Sequence, residues 1–303
     1  MKNLLKLLIL LTAVFSSLVQ AKLNVFACEP EWAALAEVIG GDLVKTTSAT
    51  NALQDPHYIQ ARPSLIAKIR KADLLVCSGS ELEIGWLPLL LRKGNNPKIQ
   101  TGKPGNLMAS QFVRRLDIPT VLDRAQGDMH SQGNPHIQTN PHNIAIVASV
   151  VAERLQQIDP GNADSYQQNL AEFLQQWNQA ITGWEQRAAN LRGQEIVVHH
   201  KSWVYLEDWL GLVEVATLES KPGIPPSGAH LSQLLAQMKT KPAKLIIRSP
   251  YQDAKASAWL SEKTGIPATL LPFTVGGSDN ANDLFKLFDE TIHLLVIHLD
   301  TAE

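Results

Sequence analysis

One uninterrupted periodic run in the middle of this chain limits its architecture more than any other feature. Tyr166, Leu170, Phe173, Leu174, Trp177, Ile181, Trp184, Ala188 and Leu191 recur at spacings of mostly three or four, with no proline and only Gly183 between them. At a rise of ~1.5 Å per residue, a helix from Ala163 to Leu191 would reach about 43 Å. That is longer than one ordinary domain needs, and strand and helix patterns alternate on both sides of it. Before it, Leu23–Cys28, Val44–Ser48 and Asp73–Ser78 read as strands, Thr120–Leu122 as a possible fourth, and Glu31–Ile39 and a segment from Pro63 as helices. Residues 92–106, rich in Gly, Asn and Pro, read as an irregular loop. A helix marked by Ile144, Val147, Val151, Leu155 and Ile158 follows, with Asn140 as N-cap and Pro141 in its first turn. After the long run, strands are predicted at Ile196–Val198, Val213–Thr217, Leu245–Arg248 and Thr269–Leu271, with helices near 231–238, 254–263 and 281–299. Such alternation implies parallel βαβ units. The fold class is therefore α/β, with two lobes, each a mostly parallel β-sheet flanked by helices, joined by one long rigid helix. The expected division is 22–158, 159–192 and 193–303.

The first 21 residues read as an export signal. Lys2 and Lys6 precede or flank the apolar stretch Leu7–Val14, and Val19-Gln20-Ala21 offers a small-x-small cleavage pattern, so cleavage is expected after Ala21. The apolar run is too short to span a bilayer comfortably. The formal net charge is −2, and losing Lys2 and Lys6 makes it more negative. This leaves no electrostatic case for nucleic acid or anionic lipid as a partner. Cys28 and Cys77 are the only cysteines, each at the end of a predicted strand. In an oxidising compartment a disulfide is the favoured reading, with two buried free thiols as the alternative.

Candidate chemistry lies in the histidines. Asp55-Pro56-His57, Asn134-Pro135-His136 and Asn140-Pro141-His142 each place a proline before an imidazole, and His199-His200 ends a predicted strand. Proline stiffens the backbone at each site, and imidazole is the commonest protein ligand for zinc. His57 has no apolar pattern to bury it and follows the second strand. His142 falls in the first turn of a helix, so His136 is the better candidate of those two. Alternation points His199 and His200 to opposite sides, and pattern does not choose between them. His130 reads as a loop residue or an outer capture residue. A carboxylate would complete a tetrahedral zinc site. Asp279, in Gly276-Gly277-Ser278-Asp279-Asn280, is the expected fourth ligand, supplied with His200 by the second lobe, and also a candidate N-cap for the helix expected from Ala281. Glu219 is a second candidate.

Taken in order, three stretches carry a family resemblance: Asp55-Pro56-His57 with Arg62-Pro63-Ser64, Asn134-Pro135-His136 with Asn140-Pro141, and His200-Lys201-Ser202-Trp203-Val204-Tyr205. The chain resembles the periplasmic solute-binding proteins of zinc and manganese ABC importers, the cluster A-I metal-binding group, over essentially its whole length after the signal. The resemblance implies His57, His136 and His200 as metal ligands, with His142 and His199 excluded. It also implies a monomeric carrier that hands a divalent metal to an importer permease and is not an enzyme. The family usually has an acid soon after the last strand, near Thr274 or Val275; here Asp279 comes a few residues later. The long His-rich loop of many zinc importers is absent, with only 128–133 in its place.

A third imidazole, where manganese members of the family carry a carboxylate, favours zinc over manganese or magnesium. Zn2+ is therefore the expected cargo, with a manganese or iron carrier as the same-class alternative. A zinc hydrolase would need an open coordination position and a nearby base, and no His-Glu-x-x-His pattern is present. A surface adhesin or a chaperone handing zinc to exported proteins also fits the sequence.

Overall fold

The computed structural model describes residues 21–121, 127 and 129–299. The expected signal segment before Ala21, Leu122 and Asp128 lie outside them. No helix among the described residues is long and apolar enough to cross a membrane.

Two four-stranded parallel sheets form the frame. The first contains β1 (Leu23–Ala27), β2 (Val44–Ser48), β3 (Leu74–Cys77) and β4 (Asn106–Met108) in the order β2-β1-β3-β4. The second contains β5 (Glu195–Val198), β6 (Val213–Thr217), β7 (Leu245–Arg248) and β8 (Ala268–Leu270) in the order β6-β5-β7-β8. The two orders are the same topology. The central strand β3, Leu-Leu-Val-Cys, is buried at every residue, as expected for a parallel strand covered on both faces.

Helices α1 (Pro30–Gly40), α2 (Pro63–Ile69), α3 (Leu87–Gly94) and α4 (Pro141–Ile158) accompany the first sheet. Proline occupies one of the first two positions of each of these four helices, where its missing N–H costs nothing. Gly40 ends α1 of necessity, because a Cβ there would lie 2.3 Å from the Val44 side chain that begins β2.

The periodic run forms α5 (Ala163–Arg187), about 37 Å long at ~1.5 Å per residue, followed by a 3-10 turn over Ala189–Leu191. Beyond it come α6 (Val204–Leu210), α7 (Gly228–Thr240), α8 (Ala254–Thr264) and α9 (Leu284–Leu299). The long helix is packed along its length. Near its start, Asn169 Nδ2 donates to the Ile39 carbonyl of α1 at 2.9 Å. Near its end, Trp184 Nε1 donates to Asp289 of α9 at 2.8 Å. Between them Trp177 is fully buried, stacked on Phe173 and met edge-on by Phe285 and Phe288 of α9. One apolar core runs from β1 through α5 to Leu299. The helix is thus the spine of a shared core, which resists large rigid-body motion of one lobe against the other.

Three local expectations change. Thr120 and Val121 lie in a bend, and the fourth strand of the first sheet is Asn106–Met108. The segment read as a loop over 92–106 therefore contains the end of α3 and the start of β4, linked by a 3-10 turn at Pro97–Ile99. The last helix starts at Leu284, after Ala281, with Asp283 Oδ1 accepting from the Lys286 N–H in its first turn.

Candidate metal centre

The recurring Asx-Pro-His stretches share one local geometry. His57 N–H donates to Asp55 Oδ1 at 3.0 Å, His136 N–H to Asn134 Oδ1 at 3.1 Å and His142 N–H to Asn140 Oδ1 at 2.9 Å. Each is a side-chain turn that the intervening proline, lacking an N–H, cannot compete for. Their destinations differ. At His142 the turn is the N-cap of α4, and the exposed ring pairs with Glu185 across to α5 at 2.9 Å. At His57 and His136 it aims imidazoles into the cleft between the lobes.

His57, His136 and His200 converge there, with one potential ligand atom from each lying within 4.8 Å of the others. His57 Nδ1 lies 2.7 Å from Asp55 Oδ1, and His200 Nδ1 lies 2.7 Å from Glu219 Oε2. An ionised carboxylate only accepts, so each ring carries its proton on Nδ1 and turns a lone pair at Nε2 toward the cluster. Burial works against the Asp55 charge, but the side-chain and backbone hydrogen bonds from His57 outweigh it and hold the carboxyl below its usual range. Glu219 is itself fixed, accepting from Gly223 N–H at 2.9 Å.

His136 is the buried apex. It is 0% exposed, and neither ring nitrogen has a hydrogen-bond partner. Burial first, then the neighbouring His57, His200 and His130 rings, push its pKa well below the ordinary histidine value. A neutral imidazole with unused buried nitrogens, facing two oriented ones, fits a borderline-soft divalent cation.

Two cavities meet at this point. One of about 440 Å³ is shared by His130, His136 and His200; the other, of about 570 Å³, by Asp55, His57, His200 and Glu219. The lobes are tied beside them. Asn134 Nδ2 donates to the Lys201 carbonyl at 2.7 Å, Tyr205 OH donates to the Asn134 carbonyl at 2.9 Å, and Arg114 Nη2 donates to both carboxylate oxygens of Asp208 at 2.8 and 2.7 Å. Thr274 Oγ1 donates to Glu31 across the same boundary.

The remaining candidates fall outside the group of three. His199 is buried, 3.9 Å from Glu219, and lines the cavity shared by His57 and His200 without joining the converging ligand atoms. Asp279 is exposed. Its turn is closed by Gly276 N–H to Ala281 O at 2.7 Å and Ala281 N–H to Ser278 O at 3.1 Å, and Asp279 is not among the converging ligand atoms. Glu219 contacts His200 and is not among the three residues whose ligand atoms converge. Cys28, Cys77 and Glu83 also lie close together. Their sulfurs are bonded to each other, with the Cα atoms 4.8 Å apart, so this group is a staple and not a metal site. Sequence reasoning missed Asp55 as the partner of His57, although its place two residues before the ring was the available signal.

Residues 25–296 match the family described as "ZnuA: Zinc-uptake complex component A periplasmic". The chain belongs to the ZnuA family. Among curated relatives, the "Metal ABC transporter substrate-binding lipoprotein ScbA" of Streptococcus cristatus is 25% identical over 259 residues, covering 84% of this chain and 80% of its own. The "Manganese ABC transporter substrate-binding lipoprotein PsaA" of Streptococcus mitis is 24% identical over 284 residues, covering 92% and 87%. The "Zinc-binding lipoprotein AdcA" of Streptococcus pneumoniae is 22% identical, covering 77% of this chain and 46% of its own. A crystal structure of ZnuA superposes with a TM-score of 0.77 at 23% identity, over 92% of this chain and all of that one. A cadmium-bound periplasmic metal-binding protein from candidatus liberibacter asiaticus gives 0.74 at 20%, over 92% and 100%. This ZnuA-family chain is a metal-binding substrate-binding protein of ABC importers and not an enzyme; such proteins work with a membrane permease.

Proposed function

We propose that this chain captures Zn2+ outside the cytoplasm and delivers it to an ABC importer permease, holding the ion with His57, His136 and His200. The observation that carries this reading is the convergence of three imidazoles, two oriented by carboxylates, with no carboxylate oxygen in the group. Such a shell is softer than the mixed nitrogen–oxygen sets that suit manganese. His57 and His136 come from residues 22–158 and His200 from 193–303, on either side of the linking segment 159–192. The bound ion therefore ties the lobes together, and docking on the permease would loosen it. The shared core along α5 confines the change to small shifts and local loop ordering. The protein acts as an exported monomer, cleaved after Ala21.

A manganese cargo is the second reading, favoured by relatives whose names specify manganese. Competition of Zn2+ against Mn2+ on the metal-free protein separates the two. Zinc retained against a large excess of manganese supports the proposal, and manganese displacing zinc at comparable concentration overturns it. Replacing all three histidines by alanine should abolish high-affinity zinc binding.

A further inference from the structure

We infer that His130 is a fourth metal ligand, so that the ion is enclosed by four imidazoles and no carboxylate. This rests on the three-histidine reading above and extends it. His130 Nε2 lies 3.3 Å from His57 Nε2. Two nitrogens each ~2.0–2.1 Å from a tetrahedral zinc stand about 3.3–3.4 Å apart, so this pair already has the spacing of one edge of such a site. The His130 ring is 5.3 Å from that of His57 and 6.4 Å from that of His136, and it lines the same cavity as His136 and His200.

The backbone beside His130 is built to hold it there. Glu81 accepts from the Ser131 N–H at 2.6 Å and from Ser131 Oγ at 2.8 Å. It reaches that position from two consecutive left-handed residues, Ser80 at φ 48° and Glu81 at φ 68°. Non-glycine residues in that region cost on the order of 1–3 kcal/mol each, a strain retained where position matters. On the other side, Gly127 at φ 91° presses against the opposite lobe, where a Cβ would lie 2.2 Å from the Pro222 carbonyl. His130 is thus held between a clamp from one lobe and a contact with the other. There it lines the cavity that His136 and His200 also line.

The decisive measurement is X-ray absorption at the zinc edge on the zinc-loaded full chain, together with zinc affinity by competition. Four imidazoles in the wild type, three in His130→Ala, and an affinity loss of about a hundredfold support the inference. Glu81→Ala should weaken zinc about tenfold in the wild-type background and leave His130→Ala unaffected, because the clamp acts only through His130. Three imidazoles with a light oxygen in the wild type, or a His130→Ala affinity within twofold of wild type while His57→Ala loses binding, overturns it and leaves the three-histidine reading standing. A wild type that does not bind zinc overturns both.

Discussion

The two lobes share one strand order but use the same topological position differently. In each sheet the order reverses between the two central strands, the place where open parallel sheets leave a crevice beyond their carboxyl ends. In the first lobe that place is closed. Cys28 and Cys77 join the ends of β1 and β3, and Glu29, Glu83 and Ser78 pack around them out of reach of solvent. In the second lobe it is open, and the chain leaving β5 presents His199 and His200 beside the end of β7. The first lobe sends its members of the histidine cluster from elsewhere, His57 from the loop after the edge strand β2 and His136 from the turn before α4. Identical topology therefore sets where a ligand can be offered, and local chemistry decides whether that position is stapled or used.

The largest effect that would sharpen this contrast comes from opening the staple. The disulfide closes a separation of 49 residues, worth about 4 kcal/mol from loop-closure entropy. Replacing both cysteines by serine should lower stability to denaturant by roughly that amount and leave the zinc affinity of the folded protein nearly unchanged. A large affinity loss in the folded variant would break the division between staple and ligand.

Next in size is the orientation of His200. Glu219→Gln keeps the shape of the side chain and removes the carboxylate that fixes the ring, so zinc affinity should fall about 10–100-fold. Asp55→Asn should act similarly through His57. Titration with zinc against a chelator of known affinity measures both.

A smaller, pH-dependent effect belongs to the closed crevice. Burial raises the Glu31 and Glu83 carboxyls to about 7 and pushes Glu29 up as well, with Glu83 adding to the Glu29 shift. A carboxyl whose folded pKa exceeds its unfolded value of 4.5 gives its stabilisation fully below that value and loses it as pH rises through about 7. Glu31→Gln should flatten the decline in thermal stability of the metal-free protein between these values. An unchanged slope would show that Glu31 does not carry it. The smallest effect is expected at Asp279. Its alanine variant should bind zinc within twofold of wild type, because the turn from Gly276 to Ala281 holds it in solvent.

Much of this was legible in the sequence because strong periodic signals need little context. The buried strand Leu74–Cys77, the stripe from Tyr166 to Trp184 and the Asx-Pro-His turns all declare themselves locally. What escaped was short or context-dependent. Asn106–Met108 is three residues in a Gly- and Asn-rich stretch, a strand only because Leu107 and Met108 pair with Val76 and Cys77. Val204–Leu210 is seven residues within a histidine motif, with too few turns for a periodic signal. Asp279 is placed in the sequence by its position after the last strand, which carries no information about the exposure of its turn. His130 reads from sequence only as a loop or outer capture residue, because Glu81, which fixes the neighbouring Ser131, lies far away in sequence in an unusual backbone conformation that no pattern announces.

The central claim is that one zinc ion is held between the lobes by His57, His136 and His200. A crystal structure of the zinc-loaded protein, with anomalous data on either side of the zinc edge, tests it most directly. The expected result is a single zinc peak in the cleft, about 2.0–2.1 Å from a ring nitrogen of each of these three histidines. A peak outside the cleft, or one in it that leaves His136 or His200 uncoordinated, would contradict it.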